Sequence, residues 1–211
     1  MDWYEAEVRE LEMRTRLGGN PPCPAVFYGS SSIRLWDTVS ADLRALNVVN
    51  RGFGGSTLAA CVHFFDRLIP PLEPCSVTLY AGDNDIGDGR PAGEVIASFR
   101  AFCAKMERYL PDIPFACISI KPSPARVDVL PVIRQVNAAI RMELAARPHT
   151  IYVNVFEAML DRAGRPRREL FLEDGLHMAP AGYKLWAERL EPLRNQLFIQ
   201  PQRNSNTVSL S

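Results

Sequence analysis

The chain has 211 residues, 47% hydrophobic and 23% charged, the composition of an ordinary globular protein with one full core. Lysine plus arginine and aspartate plus glutamate stand at 24 each, so no net field favours nucleic acid or an anionic membrane surface. No run reaches the ~20 apolar residues of a membrane span, and the acidic start from Met1 to Glu7 is unlike a signal peptide, which makes a cytoplasmic protein the expectation.

Residues 2 to 17 read as an amphipathic helix with Tyr4, Val8 and Leu11 on one stripe, stopped by Gly18-Gly19-Asn20-Pro21-Pro22. Ala25-Val26-Phe27-Tyr28 is a short apolar run ending at Gly29, a buried strand followed by Ser30-Ser31-Ser32 and a turn into helix. A second strand, Asn47 to Asn50, is closed by Arg51-Gly52-Phe53-Gly54-Gly55, and a helix from Leu58 to Leu68 ends before Pro70-Pro71. The third strand, Val77 to Ala81, stops at Gly82-Asp83-Asn84-Asp85, and a long helix from Pro91 to Leu110 follows. Phe115 to Ile120 is a fourth strand before the loop Lys121-Pro122-Ser123-Pro124, with a helix from Leu130 to Ala146 behind it. Thr150 to Val155 is the fifth strand and Pro180 to Leu193 the last helix.

Short β-rich runs alternating with longer helices predict an α/β fold with a parallel sheet covered on both faces. The expected organisation is an N-terminal helix (1–20) packed on one domain (21–200), with a polar, frayed tail at 201–211. Cys23, Cys61, Cys75, Cys103 and Cys117 are an odd set without close pairing. Most sit in apolar runs, which predicts buried free thiols in a reducing compartment rather than a disulfide scaffold.

In such sheets, sites lie beyond the carboxyl ends of the strands, where every polar or glycine-rich stretch of this chain falls. The first such loop offers a serine on a sharp turn after Gly29, though spacing does not choose among Ser30, Ser31 and Ser32. The second offers Gly54-Gly55, whose freedom of φ lets a backbone N–H approach a substrate atom. Asn84 in the third is a fixed side-chain donor suited to a developing oxyanion. Near the C-terminus, Asp174-Gly175-Leu176-His177 places a carboxylate three residues ahead of an imidazole, the base and its orienter in a nucleophilic triad. Neither His63, in an apolar helical run, nor His149, before the fifth strand, has such a partner. Nucleophile, backbone donors, amide and Asp–His pair together make the inventory for acyl transfer.

Four blocks, Gly29-Ser30-Ser31, Asn50 to Gly55, Gly82-Asp83-Asn84-Asp85 and Asp174-x-x-His177, resemble in order and spacing those of the SGNH hydrolase superfamily, the GDSL-like lipases and acylhydrolases. The resemblance covers about residues 25 to 194. It implies a three-layer α/β/α sandwich, flavodoxin-like in its five-stranded parallel sheet. It also implies ester hydrolysis of a small-molecule substrate with no metal or organic cofactor. By position, Ser31 resembles the nucleophile, Gly55 and Asn84 with the Ser31 N–H the oxyanion donors, and Asp174 and His177 the rest of the triad. One departure is Ser30, where the family commonly has an acidic residue outside the triad; its loss affects loop bonding more than chemistry.

Placement at strand ends marks Phe53, Ile86, Lys121, Ser123 and Arg126 as substrate-binding candidates. No long apolar insert can serve as a lid over a lipid chain, which favours a small acyl group such as acetyl, with carbohydrate, lysophospholipid and aryl esters open. Trp3 and Tyr4 on the N-terminal helix suit packing or a partner, and a homo-oligomer stays open. Rival readings are a flavodoxin-like phosphate- or flavin-binding module using Ser30 to Ser32, a hard-metal site at Asp83, Asp85, Asp174 and His177, and a non-catalytic relative binding an acyl or carbohydrate ligand. Cys61 and Arg67 match the bare spacing of a phosphatase loop, but the bulky residues between them make this a coincidence.

Overall fold

A computed structural model describes residues 1–198, so the tail expected at 201–211 lies outside the described residues. Five strands, β1 (Ala25–Gly29), β2 (Val48–Gly52), β3 (Ser76–Tyr80), β4 (Phe115–Ile118) and β5 (Thr150–Val153), form one sheet. The order is β2-β1-β3-β4-β5 and every pairing is parallel. The helices are α1 (Asp2–Arg16), α2 (Ser31–Arg34), α3 (Val39–Asp42), α4 (Leu58–Leu68), α5 (Asp83–Gly87), α6 (Ala92–Tyr109), α7 (Leu130–Ala145), α8 (Pro180–Leu190) and α9 (Arg194–Leu197). Among the described residues, no helix is long and apolar enough to cross a membrane.

Successive strand residues point to opposite faces, which divides the core in two. Val26, Tyr28, Val77 and Leu79 face a layer built from α1, α4, α6 and α7. Ala25, Phe27, Ala116 and Ile118 face a layer built from α2, α3, α8 and α9. Residues in β1, β3 and β4 are buried throughout, which is why those runs read as continuously apolar rather than alternating.

Helix α1 lays Val8 and Leu11 onto the core. It is tied to α4 through Arg67, which reaches both Glu5 and Glu12 at 2.7 Å. The α4 N-terminus is capped by Thr57, whose hydroxyl accepts the Ala60 N–H at 3.1 Å. Proline opens α8, where a missing N–H has no intrahelical acceptor to lose.

One sequence expectation is corrected here. Cys23 and Cys75 pair as a disulfide, with Cα atoms 4.9 Å apart, because the segments entering β1 and β3 run side by side. Their separation of 52 residues hides this from any spacing argument. Cys61, Cys103 and Cys117 are free and buried, as expected.

Candidate active site

Gly29, Gly52 and Tyr80 stand in register at the carboxyl ends of β1, β2 and β3, so the loops that follow them share one edge of the sheet. Gly29 adopts φ 139°, and a Cβ there would run into the Tyr80 carbonyl. The Ser30 N–H extends the ladder to Tyr80 O at 3.0 Å, and the chain then turns into α2. Ser30 and Ser32 are each 2% exposed while Ser31 is half-buried, so of the three only Ser31 is open to a substrate. None caps α2 with its side chain. The Ser31 N–H opens that helix, where N–H groups point outward without an intrahelical partner.

Asn50 fixes α2 to β2. Its Nδ2 donates to Ile33 O at 2.6 Å and its Oδ1 accepts the Gly52 N–H at 2.9 Å. A side chain at Gly52 would strike the backbone of Arg34. Beyond it, Gly55 is exposed at φ 66°. Among the described residues its N–H meets no backbone acceptor.

The third loop is a helix start. Gly82, at φ 108°, caps α5, and Asn84 in the first turn donates from Nδ2 to Ser56 O at 3.0 Å. An amide has two such hydrogens, so one remains for a ligand. Its neighbour Asp85 accepts the Leu58 N–H at 2.8 Å, and burial pushes that carboxyl's pKa up.

Asp174 and His177 form a closed local unit. One carboxylate oxygen accepts the backbone N–H groups of Leu176 and His177 at 2.8 and 2.9 Å. The other lies 2.6 Å from His177 Nδ1. The Leu176 N–H first, and then the His177 ring, hold the Asp174 pKa down to about 2, so the carboxylate is ionised throughout the neutral range. Nδ1 so engaged leaves Nε2 as the nitrogen for proton transfer. The turn is joined to the loop after β4, because the Ala125 N–H donates to Gly175 O at 3.0 Å. Directly after it, α8 stacks Tyr183 on Trp36, just beyond α2, with ring centroids 5.3 Å apart.

The candidate substrate-binding residues fare differently from one another. Phe53, Ile86, Lys121 and Ser123 are buried, so they are closed to a ligand in this structure. Phe53 belongs to an aromatic cluster with Tyr4, Tyr28 and Phe64. Lys121 donates to Asp83 Oδ2 at 2.5 Å and to the Tyr80 hydroxyl at 3.2 Å. Arg126 keeps 24% side-chain exposure, with Nε 3.7 Å from Asp83 Oδ1. Its guanidinium lies where a Cβ of residue 87 would be, which Gly87 leaves open.

Asp83, Asp85 and Asp174 are spent on three separate tasks, pairing with Lys121, capping α4 and orienting His177. No group of three or more His, Cys, Asp or Glu among the described residues is arranged to hold a metal. Cys61 is buried in α4, which raises its pKa, and Arg67 is committed to α1, so the phosphatase spacing is indeed a coincidence.

The pattern of the GDSL-like lipase/acylhydrolase family matches residues 24–185. No curated protein matches by sequence. Among solved structures, the fold is similar to that of a GDSL-like lipase from Bacteroides thetaiotaomicron VPI-5482, at 19% identity and a TM-score of 0.77 over 90% of this chain and 98% of that one. A lipase/acylhydrolase from Enterococcus faecalis aligns at 20% identity and TM-score 0.66 over 83% and 98% of the two chains. A carbohydrate esterase family 3 protein from Talaromyces cellulolyticus aligns at 18% and 0.65 over 82% and 97%. At these identities the likeness is one of fold.

Proposed function

Because the chain belongs to the GDSL-like lipase/acylhydrolase family, whose members are carboxylic ester hydrolases, we propose that it releases a short acyl group, acetyl-sized by preference, through an acyl-enzyme on Ser31. The observation that carries this reading is the 2.6 Å contact between His177 Nδ1 and an ionised Asp174, in a turn tied to the sheet edge where Ser31 stands open.

His177 Nε2 takes the Ser31 hydroxyl proton as Oγ attacks the ester carbonyl. The Ser31 and Gly55 N–H groups and the free hydrogen of Asn84 bind the tetrahedral oxyanion. Collapse breaks the bond to the alcohol, which leaves with the proton from His177. Water, deprotonated by the same nitrogen, then attacks the acyl-enzyme; the acid departs and Oγ regains its proton. Asp174 holds the tautomer and stabilises the imidazolium.

The burial of the apolar candidates Phe53 and Ile86 in the core, where neither can line an acyl-chain channel, supports a small acyl group on a small molecule. Arg126, partly exposed and lying against Gly87 at the end of the helix that carries Asn84, is the remaining candidate for contact with the substrate.

An aryl-ester series of increasing acyl length, with organophosphonate labelling, tests the reading. The expected result is a rate that falls beyond short acyl groups and a single adduct on Ser31. Ser31→Ala should lose both, while Ser30→Ala and Ser32→Ala keep them. Activity surviving Ser31→Ala but not a neighbouring substitution would overturn the assignment, and faster turnover of long chains would overturn the acyl preference.

A further inference from the structure

Helix α1 lies outside the stretch that carries the family pattern, yet it touches the loop of Gly55. Glu7 Oε2 accepts the Gly54 N–H at 2.8 Å. Tyr4, one turn earlier, donates its hydroxyl to Gly55 O at 3.1 Å. These bonds fix the peptide groups before and after the one that bears the Gly55 N–H.

That peptide needs fixing. It is flanked by two glycines, so no Cβ opposes its rotation, and glycine explores more backbone states than any other residue. The helix that fixes it is itself braced. The Tyr4 ring packs edge-on against Phe53 and Phe64, with centroids at 5.4 and 6.2 Å, and Arg67 binds Glu5 and Glu12. Glu7 also reaches across to α2, its Oε1 3.5 Å from Arg34 Nε. One carboxylate thus spans the oxyanion loop and the helix that begins with Ser31.

We propose that Tyr4 and Glu7 are positioning residues that hold the Gly54–Gly55 peptide with its N–H aimed at the reacting carbonyl, making α1 part of the catalytic apparatus. This rests on the reading of Gly55 as an oxyanion donor. Tyr4, which the sequence suits to packing or to a partner, packs inward here, while Trp3 beside it stays 85% exposed.

The test is steady-state kinetics and phosphonate-labelling rates on full-length Tyr4→Phe, Glu7→Met and Glu7→Gln proteins, with thermal melts. Tyr4→Phe keeps the ring and drops the hydroxyl. Its kcat should fall about three- to tenfold, the worth of one hydrogen bond, at unchanged KM. Glu7→Met should fall by about tenfold or more, since its bond is charge-assisted, and Glu7→Gln, which keeps an acceptor oxygen, should recover most of the loss. Labelling at Ser31 should slow in step with kcat, because the phosphonate adduct uses the same donors. Wild-type kcat and labelling in Tyr4→Phe and Glu7→Met would overturn the proposal. So would a raised KM at constant kcat, or a loss matching only the unfolded fraction. If instead Ser31→Ala stays active, the underlying esterase assignment has failed, and that control separates the two failures.

Discussion

Replacing Lys121 by methionine keeps most of the side-chain volume and removes one charge from a pair shielded from solvent. Lys121 and Asp83 are 1% and 5% exposed in their side chains, with Nζ and Oδ2 2.5 Å apart. Deleting one partner of such a pair costs about 3–5 kcal/mol, chiefly because the other is left charged and dry. Here Asp83 would retain Arg126 Nε at 3.7 Å and the Tyr80 hydroxyl at 3.4 Å, so the low end, about 3 kcal/mol, is expected. For a chain of this size that is a drop in Tm of roughly 6–12 °C, readable in a thermal melt followed by circular dichroism. The double variant Asp83→Asn/Lys121→Met should recover most of the loss, since no fully buried lone charge then remains and the Arg126 left behind is part-exposed. A Lys121→Met protein that melts like the wild type but shows a raised KM would refute this reasoning and return the lysine to a substrate-binding role.

Asn84→Ala removes a donor that only the tetrahedral intermediate uses fully, so kcat should fall by about 3–4 kcal/mol of barrier, or ~10²–10³-fold; an unchanged kcat would strike Asn84 from the oxyanion hole. Asp174 has a folded-state pKa of about 2, below the ~3.9 of an unfolded aspartate. Its contribution to stability is therefore present above that unfolded value and lost as pH falls through about 2. Urea midpoints of wild type and Asp174→Asn should differ at neutral pH and converge across that window, and a gap that stayed constant would deny the coupling.

What the sequence made legible depended on whether its cause was local. Strands β1, β3 and β4 were readable because burial on both faces leaves largely apolar runs, and β2 and β5 because short β-rich runs end at turn residues. Asp174 and His177 were readable because the contact closes within three residues. Helix α5 was not. Five residues hold too little of a 3.6-residue period to register, and Gly82-Asp83-Asn84-Asp85 reads as a turn, although Asn84 owes its direction to that helix. Lys121 was misplaced for a different reason: a cation after a strand suggests solvent, and the carboxylate that lets it be buried comes from the end of another strand. The same holds for Cys23 with Cys75, and for Tyr4 and Glu7. The stripe of Tyr4, Val8 and Leu11 foretold which side of α1 faces inward, but not which backbone groups its polar edge would meet.

Asn84 and Asp85 bind the Ser56 carbonyl and the Leu58 N–H, so two loops from different strands are stitched into one small body. The relative placement of the amide donor and the glycine donor is then set within a few residues and is buffered from the sheet beneath. A strand that slid or twisted slightly under a core substitution would carry these two donors along together, and what it would change is their distance from the Ser31 N–H, which follows β1 and lies outside that body.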